Sequence, residues 1–148
     1  MRKLEDIIED YENARVALRS IIASDTNYKD ALLEMQHRLL DLRADLRPWH
    51  TKMLKASELR SDKQATAIKH RIGLAMVKGE YEFKDGEKPM YEKLPNISNA
   101  EKYASASREY KEFLEQKVFY KESFVNIADL REEIASFVLL VKDKLKYQ

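Results

Sequence analysis

Cysteine is absent from this chain, which excludes a disulfide framework, a thiolate metal site and a thiol nucleophile. Glycine and proline are scarce, three of each in 148 residues, and all but Pro48 fall between Gly73 and Pro95. Gly73, Gly79 and Gly86 stand at no spacing that makes a phosphate-cradling loop. No apolar run approaches the ~20 residues of a membrane-spanning helix. The N-terminus turns acidic at Glu5 and Asp6, where a secretory signal needs an apolar core. These absences lead us to expect a soluble protein, without a membrane, in the cytoplasm. Long stretches free of helix breakers flank the Gly73–Pro95 region.

Charge is abundant: 36% of residues are Asp, Glu, Lys or Arg, yet the formal net charge is only +1. That near-balance conceals polarity along the chain. Between Arg43 and Lys78 nine basic residues face three acidic ones, while residues 1–42 and 79–148 each carry more acid than base. A local field of this kind recruits a polyanion even when net charge is near zero.

Apolar residues recur at steps of three and four, the period of an α-helix. Leu4, Ile7, Ile8, Tyr11, Ala14, Leu18, Ile21 and Ile22 predict a first helix over 1–23. Ser24–Asn27 is the turn, with Asn27 as an N-cap. Leu32, Met35, Leu39, Leu42, Leu46, Trp49, Met53 and Ala56 form a coiled-coil-like seam in a second helix over 28–78, which Pro48 either kinks or divides. Beyond Ala56 the strict phase would bring Arg60 and Lys63 into the seam, so contact passes to Ala65, Ile68, Ile72 and Ala75. Residues 79–98 read as a loop or small hairpin, with polar–aromatic alternation from Glu80 to Phe83 and a turn at Asp85-Gly86. Ser98 and Glu101 make a capping-box pattern for a third helix over 99–147. Its seam runs from Tyr103 through Phe124, Ile127, Ile134 and Val141 to Leu145, interrupted by Lys117 and Arg131.

The expected architecture is all-α: one elongated domain, a long antiparallel helical hairpin whose shorter N-terminal helix completes a three-helix base. The other end of the hairpin would be a two-helix arm. The apolar stretch from Ile134 to Val141 is broader than one partner helix covers, which leads us to expect a homo-oligomer joined through Ile134, Phe137, Val138, Val141 and Leu145.

Chemistry is thinly represented. Glu34-Met-Gln-His37 has the Glu-x-x-His spacing of di-iron helical bundles, but it occurs once where such a centre needs two. His50 and His70 have no serine or paired carboxylate placed to make a nucleophile and base. The expectation is a protein that is not an enzyme and takes neither metal nor cofactor. The basic run is the stronger signal. Lys55, Arg60, Lys63, Lys69, Arg71 and Lys78 precede Tyr81 and Phe83. Cations that track phosphates beside aromatic faces that stack bases suit single-stranded nucleic acid.

One stretch also carries a resemblance. Ala67-Ile68-Lys69-His70-Arg71-Ile72, then Lys78-Gly79, Tyr91-Glu92-Lys93 and Asn99-Ala100-Glu101-Lys102 before a long helix, resemble the recombination mediator proteins of T4-type phages. The resemblance implies a ring-forming accessory protein that binds single-stranded DNA and helps load a RecA-type recombinase onto strands coated with single-strand binding protein. It makes Lys69 and Arg71 the first phosphate contacts. The competing reading of the same residues is a helical scaffold or adaptor, a virion component or inhibitor, gripping an acidic protein.

Overall fold

The computed structural model describes residues 1–24, 28–84, 87 and 97–147, with 97–99 described by their backbone alone. Those residues form five α-helices, α1 (Leu4–Ile22), α2 (Lys29–Glu58), α3 (Asp62–Lys78), α4 (Ile97–Ala104) and α5 (Arg108–Leu145), and no strand. The expected all-α class holds. Asn27, the Asp85-Gly86 turn and the Ser98 side chain lie outside the described residues; Tyr81–Lys84 is not a strand.

Two expected helices are each a pair. The 28–78 helix passes through Pro48 unbroken and stops instead at Glu58, where Arg60 N–H bonds Ser57 O three residues back at 3.1 Å and so tightens the last turn. Ser61, extended at φ −77° and ψ 165°, then accepts a hydrogen bond from Gln64 N–H and starts α3. The seam loses its phase after Ala56 because the helix ends there. Ser61-Asp62-Lys63-Gln64 is itself a capping-box sequence, the signal that marks the break. The 99–147 helix likewise divides at Ser105–Ser107. Ser107 is 1% exposed; its hydroxyl donates to Ala104 O at 2.6 Å and accepts from Tyr110 N–H at 3.3 Å, capping α5.

The chain forms two compact units, residues 1–53 with 123–148 and residues 54–122. The first is the expected three-helix base. Ile7, Tyr11, Ala14 and Leu18 of α1, the seam Leu32 to Leu46 of α2, and Ile127, Ile134 and Val141 of α5 are all buried. The register is set at both ends. Arg2 bonds both Asp10 and Asp45, and the Trp49 indole N–H donates to Arg2 O at 2.8 Å, so α1 runs antiparallel to α2. His50 and Phe124 have ring centroids 4.9 Å apart, and Tyr11 meets Phe137 at 6.4 Å, so this part of α5 runs antiparallel to α2. Ile134 and Val141 are 0% exposed within this core, which removes them from the expected oligomerisation face. Burial of such aliphatic side chains stabilises by about 1.5–3 kcal/mol each, so they are spent on the fold.

The second unit is not a two-helix arm, because α4 packs on α3. Ile72 and Met76 of α3 meet Ala100 and Ala104 of α4, with Ile68, Val77, Tyr81 and Tyr110 around them. Gly73 permits the approach: a Cβ there would lie 3.3 Å from Glu101 Cγ and 3.7 Å from Ala100 C. Gly79 ends α3 in the left-handed region at φ 71°, and Glu80 N–H reaches back to Ala75 O at 2.8 Å, the Schellman arrangement that satisfies the last carbonyls.

Candidate nucleic-acid interface

Every cation and aromatic nominated for nucleic acid belongs to the second unit. The helix geometry disperses them. Successive residues turn by about 100°, so Lys69 and Arg71, two apart, leave α3 in nearly opposite directions. Lys63 and Lys78, by contrast, share the exposed side of α3.

Two of the six cations are occupied. Arg60 donates from Nε to Gln116 Oε1 at 3.2 Å and from Nη1 to Ala56 O at 3.0 Å, and its guanidinium lies over the Tyr120 ring at 4.4 Å. That arrangement combines hydrogen bonds with a cation–π contact and ties the loop between α2 and α3 to α5. Arg71 is ion-paired with Glu109 of α5. Next to it, His70 Nδ1 lies 3.1 Å from Glu101 Oε1. The nearby acid Asp62 pairs with Lys117, whose hydrogen bond and charge, with Lys121 beyond, hold the Asp62 carboxyl below its usual range. Surface pairs of this kind add little to stability, but they remove field from the surface.

The other four cations make no such contact among the described residues. Lys55, Lys63 and Lys78 are exposed and Lys69 is half-buried; none has an ion-pair partner among the described residues. A count of basic residues in sequence cannot separate these from Arg60 and Arg71, because the carboxylate and amide that engage the two arginines come from α5.

The aromatics divide in the same way. The Tyr81 hydroxyl donates to Glu87 Oε2 at 2.6 Å and its ring packs on the α3–α4 core. Burial, followed by the bond to Glu87, raises the Tyr81 pKa above the ordinary tyrosine value. Phe83 stands edge-on to Tyr81 at 5.0 Å and is 37% exposed. Phe83 therefore offers the one ring face of the nominated pair that a base can reach. Sequence reading passed over the exposed Val118 and Phe119 of α5, 55% and 58% exposed beside the Arg60–Tyr120 contact; their polar neighbours Lys117 and Lys121 break the apolar run that would have flagged them.

Glu34 and His37 are both exposed on α2, and among the described residues no three His, Asp or Glu side chains cluster as metal ligands. Among the same residues no helix is long and apolar enough to cross a membrane. No protein-family model, curated protein or solved structure matches this chain.

Proposed function

We propose that this protein is a non-enzymatic accessory protein that binds single-stranded DNA through the second unit. The observation that carries the reading is the set of four lysines, Lys55, Lys63, Lys69 and Lys78, that have no ion-pair partner among the described residues, while Arg60 and Arg71 are engaged. Phosphate contacts by lysine give affinity without sequence preference, and Phe83 supplies a stacking face. In keeping with the resemblance to phage recombination mediators, the bound strand would be presented to a RecA-type recombinase in exchange for single-strand binding protein. Self-association multiplies such weak contacts by effective concentration. With Ile134 and Val141 committed to the core, its apolar contacts fall to the exposed Leu139 and Leu140 and the half-buried Phe137, Val138 and Leu145.

A second reading has its own observation. The exposed Val118 and Phe119, with the exposed Lys121 beside them, suit an adaptor that grips an acidic protein. A fluorescent single-stranded oligonucleotide titrated at two salt concentrations, with a duplex of equal length as control, separates the two. Tight binding to the single strand that falls log-linearly with salt supports the nucleic-acid reading. Absence of binding at low salt eliminates it in favour of the adaptor. Lys63→Ala with Lys78→Ala should flatten the salt slope by about 1.4, near 0.7 for each lysine–phosphate pair removed.

A further inference from the structure

Arg131 occupies a core-facing position of α5, between Ile127 and Ile134, which are 4% and 0% exposed. Its Nε is buried and has no hydrogen-bond partner among the described residues. Arg131 as a whole is half-buried, and its guanidinium keeps its proton there. The usual resolution is a carboxylate, and none pairs with it among the described residues: Asp129, Glu132 and Glu133 on its own helix are all exposed and make no ion pair with it. What faces Arg131 is more positive charge. The His50–Phe124 contact fixes the antiparallel register of α2 and α5, and helices of equal rise keep residues of constant number sum level. Arg43 is therefore level with Arg131, and Arg47 lies one turn further on. Burial, then the charges of Arg43 and Arg47, lower the Arg131 pKa. Arg43 and Arg47 are exposed, share one side of α2 at a spacing of four, and have no ion pair among the described residues. Of the other arginines of the first unit, Arg2 pairs with Asp10 and Asp45, Arg15 with Glu12 although its Nε, like that of Arg131, has no partner among the described residues, and Arg38 bonds Asp10 O, while Arg19 stands in the last turn of α1 with no ion pair among the described residues.

We infer that Arg43, Arg47 and Arg131 form a binding site for a phosphate oxyanion in the first unit. Three like charges without a counter-charge repel one another, and an anion seated among them reverses the sign of every interaction. Phosphate suits this set better than a carboxylate does. It carries up to two charges and several acceptor oxygens, and it accepts paired N–H donors from a guanidinium fork. The buried Arg131 Nε–H is the donor left waiting, and the exposed Arg43 and Arg47 leave the site open from solvent. This inference is independent of the lysines of the second unit and stands or falls without them. The ligand is either free phosphate, or a small phosphorylated molecule, or the backbone of a nucleic acid.

The test is a titration of the full-length protein with inorganic phosphate, ionic strength held constant with sodium chloride, following the Arg131 Nε–Hε resonance. The expected result is a saturable shift that sodium acetate does not reproduce. Arg43→Gln with Arg47→Gln, both at exposed positions, should weaken the apparent affinity by about tenfold or more, while Lys63→Ala with Lys78→Ala leaves it unchanged. Phosphate should also raise the melting temperature of the native protein and not that of Arg131→Met. A shift that fails to saturate, or an equal one with acetate, overturns the proposal. A single-stranded oligonucleotide that displaces phosphate from this resonance identifies nucleic acid as the source; one that leaves it in place identifies a small phosphorylated ligand.

Discussion

Replacing Ser107 by alanine removes one oxygen atom from the junction of α4 and α5, and the structure says what that oxygen holds. It accepts from Tyr110 N–H at 3.3 Å and donates to Ala104 O at 2.6 Å. Ala104 O keeps a second donor, the Ser107 N–H at 3.0 Å, so the loss falls on the Tyr110 amide. An N-cap serine contributes about 1 kcal/mol, with a range of about 0.5–2. The upper half of that range applies here, because at 1% exposure no water can take the place of the hydroxyl. We therefore expect about 1.5 kcal/mol, or roughly 3–6 °C in melting temperature for a chain of this size.

Two comparisons make the reasoning refutable. Ser61 makes the same bond, from Gln64 N–H at 3.2 Å, at a half-exposed cap, so Ser61→Ala should cost less, about 0.5–1 kcal/mol. Glycine is a tolerable N-cap at exposed sites, yet Ser107→Gly should be no better than Ser107→Ala, since solvent is excluded. The assay is urea unfolding followed by circular dichroism, with hydrogen exchange at Tyr110 and at Leu39 to assign the change to the second unit. Equal costs at Ser61 and Ser107, or a Ser107→Ala change below about 0.5 kcal/mol, would refute the link between burial and the strength of the cap.

Other substitutions probe separate links. Gly79→Ala should destabilise by about 1–2 kcal/mol in urea unfolding, since φ 71° is costly for any residue with a Cβ. Tyr11→Phe should raise stability by up to about 1 kcal/mol, because the Tyr11 hydroxyl is buried without a partner; a loss of stability would mean that Glu133 bonds it. Asp62, held below its ordinary pKa of 3.8 by Lys117, contributes stability that is fully present above that value and lost as pH falls through the lower folded-state pKa. The urea midpoints of the native protein and Asp62→Asn should thus converge in strong acid, and a constant gap between pH 2 and 7 would contradict the assignment. Glu109→Gln releases Arg71 from its ion pair and should strengthen oligonucleotide binding, steepening the salt slope by about 0.7, as read by fluorescence anisotropy.

How much of this was legible in the sequence depended on the range of the interaction concerned. The seam Leu32 to Leu46 and the α1 stripe of Ile7, Tyr11, Ala14 and Leu18 were readable because helical periodicity is local and the buried set coincides with it. Pro48 was a poor guide: a single missing backbone bond on a helix whose seam stays in phase is tolerated. The real break at Leu59–Ser61 was written in Ser61 and Gln64, a cap signal outweighed in reading by the length of the apolar pattern. The break at Ser107 was harder to see, since its defining property is burial, which depends on where Tyr81 and α4 come to lie. For the same reason the breadth of the Ile134–Val141 band did not tell which of its residues the fold itself takes. α1 and α2 supply enough surface to bury Ile134 and Val141 completely, and leave Leu139 and Leu140 exposed.

The candidate sites show the same division more sharply, because charge is countable in sequence while compensation is not. The run from Arg43 to Lys78 looks uniform on paper. In the structure Arg60 and Arg71 are engaged by α5, four lysines have no ion-pair partner among the described residues, and Arg43, Arg47 and Lys52 belong to a different unit from the rest. Arg131, read as an interruption of an apolar seam, stands level with Arg43 and one turn from Arg47 in the antiparallel register of α2 and α5. A guanidinium placed in a seam should cost stability unless something offsets it, and no carboxylate of α2 or α5 pairs with this one among the described residues. The feature that looked like a flaw in the helix pattern is for that reason the most specific chemical statement in the first unit: an anion is the missing partner.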